Sequence, residues 1–369
     1  MRQVALIASS ALWAHGHSDG HPLRPERLRR TVDLMTETGL LSRSNVTVVP
    51  PRLATDQELA LFHTPEYIEA VRRLSAGSRE VEGRRFNFGP GDNPVFSGMF
   101  ESEAAKAGGA LLGAERLASG QSDVAFNLGG GLHHAWRDHA SGFCVFNDAA
   151  IAIQWLVNLR WRVAYIDVDV HHGDGVQWGF YDSDRVLTVS LHQDGRTLFP
   201  GTGGVEEVGR GAGQGYAVNV PLPRHTDDDA YLWAFDQIVP RVVQRFDPDI
   251  VVTQLGVDTH VRDPLAELAL TTHGQAAIVE RLARLSSRWL ALGGGGYDLD
   301  VVPRAWTLAL AVMAEADPPL ELPARYRSTH GGRWLHDGEL PAPDPGLRAQ
   351  AWETVQRVVA GVRQLHGLE

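Results

Sequence analysis

RVAYIDVDVHHGDG, residues 162–175, opens as an apolar run and closes on two carboxylates, two imidazoles and a Gly-Asp-Gly turn. A short run of Val, Ala, Tyr and Ile suits a β-strand buried on both faces, as in parallel sheets. Asp167 and Asp169 are two residues apart near the end of the run, so a strand through Val170 puts both side chains on one face, which His171 continues. Burying two carboxylates beside Val168 and Val170 is costly unless a cation or hydrogen bonds compensate. A divalent metal would do so, its ligands oriented by their neighbours. One stretch thus predicts a parallel α/β fold and a candidate metal site at a strand's carboxyl end.

The same pattern repeats outward from this stretch. Strands are predicted at 4–9, 46–50, 123–128, 162–170, 185–191, 249–255 and 288–294. Amphipathic stretches at 101–118, 147–159, 229–246 and 272–286 lie between them. Strands alternating with helices argue for a parallel sheet covered on both faces. Nothing resembling a linker interrupts residues 1–315, so residues 1–316 are read as one catalytic domain. From Asp317 the chain turns Pro-rich (DPPLELPARY, GELPAPDPG) before a final helix near 346–364, and 317–369 is read as an extension packed on the same domain. Ligands of such sheets bind outside the carboxyl ends of the strands, where the unusual residues stand.

Three further stretches end in chemistry. In QLGVDTHVRDPL (254–265), Asp258 emerges just past a buried strand. Alone it reads as a helix or turn cap rather than a ligand, but with Asp169 and His171 it makes a three-ligand set with open positions, the pattern of catalytic metal sites. NLGGGLHHA (127–135) sets His133 and His134 after a glycine turn, where adjacent histidines can divide acid and base work if carboxylates fix their tautomers. Asp167 and Asp174 are the spare carboxylates. In LALGGGGYDLD (290–300) the glycines allow close backbone approach, and Tyr297 could donate to a developing oxyanion.

Composition excludes other chemistries. The 369 residues carry a formal charge of −11, which repels phosphate and argues against nucleic acid as a partner. Cys144 is the sole cysteine, so no internal disulfide or cysteine zinc site can form. Lys106 is the sole lysine, and neither a Walker motif, a G-x-S-x-G elbow nor H-E-x-x-H occurs. No apolar run reaches the roughly 18–20 residues that span a bilayer. Arg2 followed by VALIASSALWA (4–14) has the charge and length of a short signal peptide but is read as a first β-strand. A cytoplasmic location is expected.

These motifs resemble the arginase–deacetylase superfamily, specifically the zinc-dependent histone-deacetylase-like amidohydrolases. The resemblance covers about 300 residues, from HPLRPERLRR (21–30) to GGGGYDLDVVPRAW (293–306). Between them, in family order, come FGPGDNP (88–94), NLGGGLHHA, SGFCVFND (141–148), YIDVDVHHGDG, TVSLHQDG (188–195), LFPGTGG (198–204) and QLGVDTHVRDPL. FGPGDNP, DTHVRDPL and GGGGYD–VVPRAW look most like the acetoin-utilisation-type bacterial deacetylases. The resemblance implies a three-layer α/β/α fold around a mostly parallel eight-stranded sheet.

It also implies roles. Asp169, His171 and Asp258 resemble the metal ligands, His133 and His134 the catalytic pair with Asp167 and Asp174 behind them, and Tyr297 the carbonyl-polarising tyrosine. Gly142, Phe143 and Phe199 resemble the walls of an acyl-lysine tunnel, Asp92 the rim carboxylate that holds a peptide, and Leu265 a gate residue. Structural potassium is implied at two places, one using Asp167, Asp169, His171, Ser190 and Leu191, the other Phe180, Ser183, Val186 and Tyr216. Zinc is the expected metal, although two aspartates and one histidine also suit iron or cobalt. The expected activity is removal of acetyl or related acyl groups from lysine Nε in proteins or peptides, with acyl-CoA synthetases as candidate clients. An acetylpolyamine amidohydrolase is the nearest alternative, kept open by Asp92 and Glu267. A silent acyl-lysine binder and an arginase-like ureohydrolase are disfavoured by the complete set of deacetylase residues.

Overall fold

The computed structural model describes residues 1–17, 20–338, 340 and 344–368. Eight strands form one sheet, every pair parallel: β1 (Val4–Ile7), β2 (Val46–Val49), β3 (Val124–Asn127), β4 (Val163–Asp167), β5 (Val186–Gln193), β6 (Ala217–Leu222), β7 (Ile250–Gln254) and β8 (Trp289–Leu292). Their order is β2-β1-β3-β8-β7-β4-β5-β6.

Alternation along the strands builds two cores. Leu6, Phe126, Ile166, Val251 and Trp289 point into one core, Ile7, Ala125, Tyr165, Val252 and Leu290 into the other. The second is closed by helices Pro65–Ser75, Met99–Ala118 and Asp148–Asn158. The first is closed by Glu26–Glu37, Asp228–Phe246, Thr272–Leu282, Val301–Met313 and Pro345–His366. The result is the three-layer α/β/α arrangement.

Two details depart from the sequence reading. β6 was absent from the predicted strands, because AVNVPL carries a proline and proline breaks a ladder. Pro221 is tolerated because β6 is an edge strand with one neighbour, β5. The second departure is the early end of β4, at Asp167 rather than Val170. There the backbone turns onto its own side chains: the Asp169 N–H donates to Asp167 Oδ1 (3.1 Å) and the His171 N–H to Asp169 Oδ1 (2.9 Å). Such local bonds compete with the ladder. Asp167, Asp169 and His171 are therefore gathered by a hydrogen-bonded bend, not by the pleat of a strand.

The last helix, Pro345–His366, buries Val355, Val359 and Val362 against the first core, with Trp352 and Trp233 ring centroids 5.5 Å apart. Within the Pro-rich stretch before it, 339 and 341–343 lie outside the described residues.

Candidate metal centre and catalytic cavity

Four strands adjacent in the sheet, β3, β8, β7 and β4, send their carboxyl-terminal loops to one place. The β4 loop brings Asp169 and His171 and the β7 loop Asp258; one donor atom from each lies within 4.8 Å of the others, and all three residues are buried. His171 Nδ1 lies 3.0 Å from Asp169 Oδ1 and 3.2 Å from Asp258 Oδ2. The remaining carboxylate atoms are held from behind. Gln254 Nε2 (2.6 Å) and the Gly295 N–H (2.9 Å) donate to Asp169 Oδ2, and the Val170 N–H donates to Asp258 Oδ1 (2.9 Å).

This donor set suits a divalent cation. Asp258 Oδ2 is fully buried without a hydrogen-bond partner, an expensive state unless a positive ion faces it. Burial, then the charge of Asp169, push the Asp258 carboxyl up to about 6. Burial opposes a charge on His171, yet its bond to Asp169 and the nearby Asp258 carboxylate raise it to about 10, so the bare cluster draws a proton where a cation would sit. Two carboxylates and an imidazole leave coordination positions for water and substrate.

The β3 loop supplies the histidines. His133 Nδ1 lies 2.7 Å from Asp167 Oδ2, and His134 Nδ1 lies 2.6 Å from Asp174 Oδ1. Burial works against the His133 charge, but Asp167 and then Asp169 outweigh it and raise the ring to about 9. Burial and the neighbouring His133 charge bring His134 down to about 4 despite Asp174. The two rings are therefore pushed in opposite directions by their surroundings.

The β8 loop brings Tyr297. Burial first, then Asp258 and Asp169, hold its phenol well above the usual range, so it stays a hydrogen-bond donor. A Cβ on Gly295 would lie 2.0 Å from Asp258 Oδ2, so glycine is required beside the cluster. His133, His134, Asp169, His171 and Tyr297 line one cavity of about 20 Å³, with Leu132, Phe143 and Cys144. Outside it, a groove of about 520 Å³ is lined by Arg84, Asp92, Asn93 and Phe199, and Gly142 borders both.

Phe143 holds an uncommon backbone for a bulky residue, φ 69°, and its N–H donates to Asn93 Oδ1 (3.0 Å). Its ring stands edge-on to Tyr297, with centroids 5.8 Å apart. The half-exposed Phe199 ring stands edge-on to His134 at 5.0 Å. Asp92 is exposed on the groove, and its carbonyl is 3.2 Å from His21 Nε2. The Leu265 N–H donates to Asp263 Oδ1 (3.0 Å), and Asp263 Oδ2 accepts from the Tyr297 N–H (2.9 Å).

The potassium candidates fall into two neighbourhoods. Asp167 and Ser190 are register partners on β4 and β5, with Leu191 next along β5. Phe180 and Ser183 share a turn (2.9 Å), Val186 begins β5, and Tyr216 precedes β6, its carbonyl accepting from the Thr188 N–H (2.9 Å).

Several supporting residues escaped the sequence reading. The Tyr165 hydroxyl donates to Asp167 Oδ2 (2.6 Å) and Arg27 to the Gly294 carbonyl (2.6 Å). Asp148 accepts from the Gly131 and Leu132 N–H groups at 3.0 and 2.8 Å, bracing the loop before the histidines. Asp263 Oδ2 accepts from the Tyr297 N–H (2.9 Å), and burial with the Asp258 charge pushes Asp263 up to about 8. Each of these stands inside or beside a quoted motif; Tyr165 has its partner two residues on, but Arg27, Asp148 and Asp263 bond residues well away in sequence, so spacing carries no signal for them.

Known proteins resemble this chain over most of its length. A model of the histone deacetylase domain matches residues 21–313. The chain is 42% identical over 338 residues to the acetoin utilization protein AcuC of Bacillus subtilis (strain 168), covering 88% of this chain and 86% of that one. It is 41% identical over 327 residues to histone deacetylase 1 of Homo sapiens, covering 87% of this chain and 67% of that one. The crystal structure of a histone deacetylase homologue from Aquifex aeolicus superposes with a TM-score of 0.87 at 29% identity, covering 96% of this chain and all (100%) of that one. Among the described residues, no helix is long and apolar enough to cross a membrane. With a domain match over most of its length and relatives above 40% identity, the chain belongs to the histone deacetylase family of the arginase–deacetylase superfamily, a family of deacetylase-type hydrolases.

Proposed function

We propose that this chain removes acetyl groups from the Nε of lysine in proteins or peptides. The observation that carries the reading is the pairing of two adjacent histidines, each with Nδ1 on its own buried carboxylate (His133 on Asp167, His134 on Asp174), in a cavity that Tyr297, Asp169 and His171 also line.

A divalent cation held by Asp169, His171 and Asp258, zinc by family and iron or cobalt by ligand chemistry, would supply Lewis acidity at the acyl oxygen and ease deprotonation of a water. His134, neutral and backed by Asp174, takes a proton from the water as its oxygen bonds to the acyl carbon. The Tyr297 hydroxyl donates to the acyl oxygen as negative charge builds there, an effect worth roughly 3–4 kcal/mol for one well-placed donor in other hydrolases. The C–N bond then breaks as a histidine proton passes to the lysine nitrogen, leaving a carboxylic acid and a free amine. His133 remains charged beside Asp167 and contributes a fixed positive field.

The cavity is small, about 20 Å³ where a single water needs about 10–15 Å³ by the same measure, which favours a short acyl group over a long one. The outer groove favours a peptide over a polyamine because it offers both an acceptor, Asp92, and a cation, Arg84. Glu267, the other acidic candidate for a polyamine, is paired with Arg224 at 2.5 Å. The two potassium sets and an acyl-CoA synthetase as client belong to the same proposal and rest on the family.

The test compares turnover of an Nε-acetyl-lysine peptide with that of N-acetylputrescine on one zinc-loaded preparation. Preference for the peptide is expected. Preference for the polyamine would replace this reading with the acetylpolyamine one, and cleavage of neither with metal bound would point to a binder.

A further inference from the structure

Asp337 lies beyond residues 21–313, the part matched by the histone deacetylase domain, yet its carboxylate is almost wholly buried. Its Oδ2 accepts from the Thr272 N–H (2.7 Å) and faces His260 Nε2 (2.8 Å), while Oδ1 pairs with Arg304 (2.9 Å). The Asp337 N–H returns a bond to Thr272 Oγ1 (2.8 Å). His260 Nδ1 accepts from the Arg262 N–H (3.1 Å), so the proton of the neutral ring is on Nε2 and is donated to Asp337.

From His260 the bonds run directly to the candidate centre. The His260 N–H donates to the Val257 carbonyl (3.1 Å), closing the turn that contains Asp258. The His260 carbonyl accepts from the Asp263 N–H (2.8 Å), and Asp263 Oδ2 in turn holds the Tyr297 N–H (2.9 Å). Arg304 stands on the helix that follows Tyr297, and its Nε donates to the Asp300 carbonyl (3.0 Å). One buried carboxylate from the extension thus holds the loop that delivers Asp258 and the helix that follows Tyr297.

We propose that Asp337 is a positioning residue for the candidate metal centre, acting through His260 on the Asp258 turn and through Arg304 and Asp263 on the Tyr297 segment. The proposal rests on the metal reading above. A carboxylate whose role was merely to fasten the extension would not need partners on this loop and on this helix. The extension has other fasteners of that kind, such as Arg348, which pairs with Asp227 and Asp229 on the surface.

The experiment uses the full chain with Asp337→Asn, Thr272→Val and, as a control, Arg348→Ala. Zinc affinity is read by chelator competition, amide exchange is followed across residues 257–263, and kcat and KM are measured on the acetyl-lysine peptide. In Asp337→Asn, zinc affinity is expected to fall about 10–100-fold, as for other residues that orient metal ligands. Exchange across 257–263 should quicken, and kcat should fall with KM nearly unchanged. Thr272→Val, which removes one bond to Asp337 without a change of charge, should show smaller losses, and Arg348→Ala none. Wild-type zinc affinity and exchange in folded Asp337→Asn, or equal losses in Arg348→Ala, would overturn the proposal. Zinc binding equal in wild type and His171→Ala would instead overturn the metal reading, leaving the exchange rates to decide whether Asp337 positions the loop.

Discussion

Two histidine–aspartate pairs stand side by side in this cavity, chemically alike and electrically opposite. His133 and His134 are sequence neighbours with ring centroids 4.0 Å apart, each with Nδ1 within 2.7 Å of a buried carboxylate. The His133 pair is rooted at the end of β4, where Asp169 adds a second negative charge, and its ring is raised to about 9. The His134 pair is rooted at the start of helix Asp174–Gly179, where His133 and His171 add positive charge, and its ring is lowered to about 4. A buried His–Asp contact therefore does not by itself decide whether the imidazole is charged. The next neighbours decide it, and here they leave one ring to hold a proton and the other to take one.

The largest expected effect follows from losing the neutral ring. His134→Ala should lower kcat about 10²–10⁴-fold with circular dichroism unchanged, and His133→Ala distinctly less. Equal losses would erase the distinction between base and fixed charge. Tyr297→Phe should cost about 10²–10³-fold in kcat, since it removes a donor to the same reacting oxygen. Near-native turnover would take Tyr297 out of the mechanism.

A subtler variant perturbs one ring of the pair. Gly142 has φ 49°, and a Cβ there would lie 2.5 Å from His134 Cδ2. Gly142→Ala should reduce kcat/KM by about 10-fold or more through displacement of His134, with zinc affinity retained. Loss of zinc in that variant would mean that the disturbance reaches the metal cluster instead.

Finer still is the pH profile. In His133→Ala the residual activity should show its acid limb at higher pH, by about one unit, because the positive neighbour that depresses His134 is gone. An unmoved limb would show that the two rings do not interact. The metal-free protein offers the smallest effect, through His133 and His171, both raised in the folded state. Each contributes stability that is fully present below the unfolded histidine value of about 6.5 and is lost as pH rises through about 9 and 10 respectively. The Tm of the apo chain should therefore drop by a few degrees between about pH 6.5 and 10, measured by calorimetry with chelator present. A flat Tm would argue against charged rings in the apo fold.

Much of the fold was legible because a parallel sheet buried on both sides must be written in short continuous apolar runs. Seven of the eight strands announce themselves that way, and β6 does not, since Pro221 is acceptable on an edge that sequence cannot identify. The ligand and histidine candidates were legible for a related reason. Asp, His and Gly at the ends of apolar runs are costly to bury, so their presence there asks for a function.

What the sequence by itself determined was the inventory: apolar runs, the reactive groups at their ends, and the exclusion of cysteine, serine-elbow and phosphate-loop chemistry. Tertiary structure alone decided which of those ends meet, through the order β3-β8-β7-β4, and which histidine carries the charge. It also bent the chain after Asp167 and brought Asp337 from the extension to His260 and Arg304. The reason is electrostatic and geometric. A side chain's proton affinity and its aim depend on groups within a few ångströms, and in this protein most of those groups come from other strands.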